Sequence, residues 1–104
     1  MKIQNSIKKL ESYLKNNPGD IKARYNLAVM YQQTGNIKKS VGEYLSVVKR
    51  DNQHWQSLLN LGVLHFANSL FKESNKYLYA VLKIKKNYQP ALRDIGTNHL
   101  QLAN

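Results

Sequence analysis

Apolar residues in this chain recur at helical steps in six stretches separated by short polar breaks. In the first, Ile3, Ile7, Leu10 and Leu14 are three or four residues apart, which lines one side of a helix. Pro18 and Gly19 end it, because proline lacks an amide donor and disfavours helical backbone in the residue before it. Asp20 then stands where a carboxylate accepts from the first free amides of a new helix over 21–33, whose apolar side is Ala23, Leu27, Ala28 and Tyr31. Thr34-Gly35-Asn36 breaks that helix, with glycine supplying the left-handed backbone that helix ends favour. A third helix over 37–50 carries Ile37, Val41, Tyr44, Val47 and Val48, and Asp51-Asn52-Gln53 is the polar turn after it. The fourth, from His54 to Ala67, is apolar through Leu58, Leu61, Gly62, Leu64 and Phe66. The fifth, from Leu70 to Ile84, turns Phe71, Leu78, Val81 and Leu82 inward, and the sixth holds Pro90 in its first turn before Leu92, Ile95, Gly96 and Leu100. Links this short make neighbouring helices antiparallel.

The stretches are copies of one another. Asn26–Leu27–Ala28 returns as Asn60–Leu61–Gly62 and as Asp94–Ile95–Gly96, 34 residues later each time. Ser6, Ser40 and Ser74 keep the same step, with Ile3, Ile37 and Phe71 three places before them. A period of about 34 residues specifies stacked helical hairpins rather than a globule around one pocket. The expected organisation is a single all-α domain of 104 residues: a half unit over 1–20, full units over 21–54 and 55–88, and a partial unit or capping helix over 89–104.

These residues resemble the tetratricopeptide repeat family, whose pattern is a large residue, then Leu-Gly, then Tyr three residues on, with small residues in the second helix. The first full unit matches with Leu27-Ala28, Tyr31, Gly35, Ser40, Tyr44 and Val47, and the second with Leu58, Leu61-Gly62, Ser74, Leu78 and Val81. Arg24 departs from the family tryptophan, His65 and His99 from its tyrosine, and Asn52 and Lys86 from its proline. Tyr13, Val47 and Val81 stand where alanine is commonest. Ala28, Gly62 and Gly96 are the small residues that let paired helices approach closely. The resemblance implies a right-handed superhelix of antiparallel hairpins with a concave wall formed by the first helix of each unit.

In the family that wall holds segments of other proteins. Its positions here are Lys22, Tyr25, Asn26, Val29 and Gln33, then Gln56, Leu59, Asn60, Val63 and Phe66, and Arg93 in the partial unit. An asparagine side chain both donates and accepts, so Asn26 and Asn60 can bracket peptide groups of a bound strand while Tyr25, Leu59, Val63 and Phe66 take its side chains. The alternative is that the two asparagines bond only to neighbouring helix ends. A known variant of the family grips a partner's C-terminal carboxylate with lysine, asparagine and arginine. Tyr25, Val29, Asn60, Pro90 and Asp94 occupy the comparable places, and only Asn60 fits.

Composition adds one feature, a formal charge of +10. Lysine groups at Lys8-Lys9, Lys38-Lys39, Lys49-Arg50 and Lys83 with Lys85-Lys86 alternate with Tyr77, Tyr79 and Tyr88, which could stack on bases. Nucleic-acid binding on that edge is therefore the rival function, and an acidic protein segment is the partner such a charge suits. The bland account is codon bias, since lysine, asparagine and isoleucine are all favoured by A/T-rich codons. With no cysteine there is neither disulfide nor thiolate chemistry. No phosphate loop or nucleophile elbow is present, and the six carboxylates are scattered, so no enzyme, cofactor or metal is expected. His65 and His99 read as core residues bonded to a neighbouring helix. No apolar run is long enough to span a bilayer, and the expected compartment is the cytoplasm. The first and last helices lack hairpin mates. Three arrangements answer that: the last helix caps the stack, the chain is cut from a longer array, or one copy's start completes another's end through weak self-association.

Overall fold

Three helix starts among the described residues are set by side chains that take up free amides. Asp20 Oδ1 accepts from Ala23 at 3.0 Å, Asn36 Oδ1 from Lys39 at 3.4 Å, and His54 Nδ1 from Ser57 at 3.3 Å. In the computed structural model, which describes residues 2–104, these caps open three of the six helices. The chain divides into two units, one ending at Asn52 and the other beginning at Gln53.

The first unit contains α1 (Lys2–Asn16), α2 (Ile21–Gln33) and α3 (Ile37–Arg50), with α1 and α3 both packed on α2. Ile7, Leu14, Ala23, Leu27 and Tyr31 form its buried cluster, flanked by Ile3, Leu10 and Met30. The second unit contains α4 (Trp55–Ala67), α5 (Phe71–Ile84) and α6 (Gln89–Ala103), with α4 and α6 both packed on α5. Its core is Leu58, Leu61, Leu64, Leu78, Val81, Ala91 and Ile95. Each leucine so buried contributes on the order of 1.5–3 kcal/mol relative to exposure. Helix ends agree with the sequence reading to within two residues; His54 and Leu70 cap α4 and α5 instead of opening them.

The serines at the 34-residue step act alike in both hairpins. Ser40 donates through Oγ to the Ala28 carbonyl at 2.8 Å, and Ser74 to the Gly62 carbonyl at 2.7 Å. Such bonds require the second helix to lie close against the first, which is why a small residue sits at the acceptor. A Cβ on Gly62 would lie 2.7 Å from Leu78 Cδ2, so the glycine is needed there. Gly96 differs from the expectation. A Cβ there meets nothing within 4 Å, because α6 has no helix against that side.

The turns after α2 and α4 are also equivalent. Asn36 donates its amide to the Tyr31 carbonyl at 2.8 Å, and Leu70 to that of His65 at 2.9 Å. The residue before each is left-handed, Gly35 at φ 80° and Ser69 at φ 60°, so glycine fits one turn freely while serine occupies the other against its steric preference.

Candidate functional site

On α2 the buried side is Ala23, Leu27, Ala28 and Tyr31, and this turns the residues between them outward. Lys22, Asn26 and Gln33 are exposed, while Tyr25 and Val29 are half-buried. The Tyr25 ring rests 5.8 Å from that of Tyr44 on α3, which holds it in place. Lys22 and Asn26 border an open recess of about 280 Å³ whose other lining residues are Leu10, Tyr13, Asp20 and Ala23. At its rim the Tyr13 hydroxyl donates to Asp20 Oδ2 at 2.6 Å. That bond, followed by the one from the Ala23 amide, holds the Asp20 carboxyl below its ordinary range, and the same bond to Asp20 raises the Tyr13 phenol.

In the second unit, α4 buries Ser57, Leu58, Leu61, Gly62 and Leu64. Gln56, Leu59 and Asn60 are half-buried, and two apolar side chains, Val63 at 39% and Phe66 at 37%, are exposed. The sequence pattern also puts Phe66 in the apolar stripe of α4; it lies at the margin of that stripe, with its ring 5.7 Å from Phe71. Arg93 on α6 is exposed, 3.5 Å from Asp94 Oδ1. All eleven nominated residues thus lie outside the buried core, five on α2 in the first unit and six on α4 and α6 in the second.

Several functional-looking side chains are already engaged. Tyr77 packs against the His65 ring at 5.1 Å, Tyr79 meets His99 Nε2 at 3.1 Å, and Tyr88 lies edge-on to Trp55 at 5.2 Å with the Lys85 ammonium 4.2 Å from the indole. The three tyrosines singled out for base stacking therefore have aromatic or imidazole neighbours. The two histidines differ from the expectation. His65 is half-buried and its Nδ1 lies 2.7 Å from the Leu61 carbonyl of its own helix, whereas His99 is exposed and reaches the neighbouring helix through Tyr79. Position along one's own helix, four residues back, explains the first: an i−4 carbonyl is the nearest acceptor.

Sequence reasoning missed two ties. Arg24 bonds Glu43 at 2.8 Å and donates through Nε to the Pro18 carbonyl at 2.8 Å, linking α2 to α3 and to the preceding turn. Its only sequence signal is a cation where the repeat pattern has a large apolar residue. The second is the buried Tyr31, whose hydroxyl donates to Glu11; burial first and Glu11 second push its phenol well above the ordinary value. No helix among the described residues is long and apolar enough to cross a membrane.

A family profile described as tetratricopeptide repeat matches residues 2–82. No curated protein matches in sequence. Among solved structures, the chain is similar to the first tetratricopeptide domain of Spaghetti (RPAP3) bound to the HSP90 peptide SRMEEVD, with a TM-score of 0.89 at 17% identity over 99% of this chain and 82% of that one. Two structures of MamA are also similar. One, MamA MSR-1 C2, gives a TM-score of 0.84 at 20% identity over 98% of this chain, and the other gives 0.89 at 16% over 97%; each match covers 59% of the MamA chain. These likenesses establish the fold, an all-α array of helical hairpins. The profile covers well over half of the residues, and the chain belongs to the tetratricopeptide repeat family.

Proposed function

We propose that this chain is a non-catalytic, cytoplasmic adaptor that holds an extended, acidic segment of a partner protein against the outward faces of its first-type helices. The observation that carries this reading is the sorting of each first helix. The residues that pack are mostly small or aliphatic, with Tyr31 and Asn98 as the exceptions, while those facing out combine amides, aromatic and aliphatic surface and cations. Val63 and Phe66 support it most directly, because an exposed valine and phenylalanine one turn apart cost solubility without serving the core. In the second unit Asn60 lies between Leu59 and Val63, so a strand amide and its side chains have adjacent receptors.

An acidic partner fits the net charge of +10, and the peptide in the similar Spaghetti structure, SRMEEVD, carries three carboxylate side chains. The carboxylate-gripping arrangement is not part of the proposal. Asp94 stands at one of its places beside Arg93 and would repel a terminal carboxylate.

Peptides selected against the chain from a random displayed library test the reading. Synthetic versions of the selected peptides should be enriched in Asp and Glu and should bind at least roughly tenfold more weakly to Leu59→Ala/Asn60→Ala, with helicity unchanged by circular dichroism. Equal binding to the double variant, or a library that yields no binder, refutes the assignment.

A further inference from the structure

The outward face of α5 is a line of lysines around one tyrosine. Lys72, Lys76, Tyr79 and Lys83 are all exposed, Tyr79 at 47%. Their spacing places them within an arc of about 60° and along about 16 Å of the helix. Glu73, the one carboxylate on α5, lies outside that arc. Among the described residues none of the three lysines is ion-paired. Lys76 makes only a distant contact with the Tyr77 ring, 5.9 Å from its centroid. The Tyr79 hydroxyl meets His99 Nε2 at 3.1 Å, which fixes that end of the side chain and leaves nearly half of the residue open.

Helix stability does not explain the line. Lys72 is in the first turn of α5, where the macrodipole disfavours a cation. With Lys76 it makes a like-charge pair four residues apart, which weakens a helix. The repeat does not explain it either. The same points on α3, 34 residues earlier, hold Lys38, Gly42, Leu45 and Lys49, so α5 adds a third cation and an aromatic ring between the outer two.

The chemistry of the face selects among anionic partners. A helix lying on a bilayer inserts aliphatic side chains, and this arc has none. An acidic segment would use the lysines and leave the ring idle. Single-stranded nucleic acid uses both, phosphates on cations and a base on an aromatic face. We propose that the α5 face binds single-stranded nucleic acid, with Lys72, Lys76 and Lys83 taking phosphates and Tyr79 stacking on a base between them. The face shares no residue with those assigned above to a peptide segment, so either reading can fail alone. Each phosphate contact contributes about 0.7 to the slope of log K against log salt, so three give a slope of about −2 and a loss of about 15-fold between about 50 and 200 mM.

Fluorescence anisotropy of a labelled oligothymidylate of about twelve nucleotides provides the test. Lys72→Gln/Lys76→Gln/Lys83→Gln should weaken binding at least about tenfold at low salt and flatten the slope by about 2, with a thermal midpoint equal to or above that of the wild type. Lys15→Gln/Lys38→Gln/Lys49→Gln removes the same charge from the first unit and should bind within about threefold of the wild type. Tyr79→Leu should weaken binding about fivefold or more, while Tyr79→Phe, which keeps a ring, should bind as the wild type does. Polyglutamate and phosphatidylserine-containing vesicles, each matched in charge to the oligonucleotide, should not displace it. Equal losses in the two triple variants mean that net charge alone drives binding, and overturn the proposal. So do an absence of binding at low salt, an unaltered Tyr79→Leu, or displacement by either competitor, which reassigns the face to an acidic segment or a membrane.

Discussion

Two glycines at equivalent places should respond in opposite directions to the same substitution. Alanine in place of glycine inside a helix gains on the order of 1 kcal/mol from the reduced freedom of the unfolded chain. At Gly96 nothing opposes that gain, since the new methyl meets no atom within 4 Å. At Gly62 the methyl would lie 2.7 Å from Leu78 Cδ2 and 2.9 Å from Cγ, with the Ser74 carbonyl at 3.5 Å. Leu78 is fully enclosed and cannot swing aside without moving its neighbours, so α5 must shift and lengthen the Ser74–Gly62 bond. Overpacking of this kind costs roughly 1–3 kcal/mol, enough to cancel or reverse the helical gain. Gly96→Ala should therefore raise the midpoint of thermal unfolding, by about 4–8 °C per kcal/mol for a chain near this size, whereas Gly62→Ala should leave it unchanged or lower it. The measurement is circular dichroism at low micromolar protein, where no association contributes. Equal stabilisation by the two substitutions would refute the close approach of α4 and α5.

Three further outcomes are expected. Ser69→Gly relieves a left-handed serine at φ 60° and should stabilise the chain by about 0.5–1 kcal/mol in urea unfolding, with Gly35→Ser destabilising it comparably. Asp20 has its folded pKa depressed, so its contribution is present above the ordinary carboxylate value of about 4 and is lost as pH falls below it. The asparagine introduced by Asp20→Asn can cap but not titrate, so the stability difference between the two proteins should shrink only in that acid range. The Asn98 amide donates to Ser74 Oγ at 2.9 Å and Asn75 Oδ1 at 2.8 Å while its own buried Oδ1 is unpartnered, so Asn75→Val/Asn98→Leu, which removes donor and acceptor together, should be neutral or stabilising in urea unfolding whereas Asn98→Ala alone costs about 1–3 kcal/mol.

The fold was legible because stacking imposes the same demand every 34 residues. Serine at 40 and 74, and a small residue at 28 and 62, answer one geometric requirement, and that requirement is visible as a period before any coordinate is known. The outward residues were legible for the converse reason, since a helix that buries 23, 27, 28 and 31 must expose 22, 26 and 33. What escaped were features that depend on what lies opposite. Gly96 looks identical to Gly62 in sequence and differs only in having no helix over it. Arg24 and Glu43 are 19 residues apart, and nothing in either stretch announces the other. Asn98 and Asn75 occupy places held by Leu64 and Val41 one unit earlier, and there the chain builds a hydrogen-bonded series from the Gly62 carbonyl through Ser74 and Asn98 to Asn75.

The contrast between inward and outward positions also bears on function. At the inward places the units agree: Leu27, Leu61 and Ile95, or Ala28 and Gly62. Packing allows little else. At an outward place they diverge, with Tyr25, Leu59 and Arg93 presenting an aromatic, an aliphatic and a cationic side chain at the same point of the repeat. Packing places no such demand on these positions. A basic chain relying on charge alone would accept many acidic partners, each weakened by salt. On the function proposed above, the apolar residues at 59, 63 and 66 would supply what charge lacks, because burial of such side chains under a partner is insensitive to salt and requires side chains of fitting size.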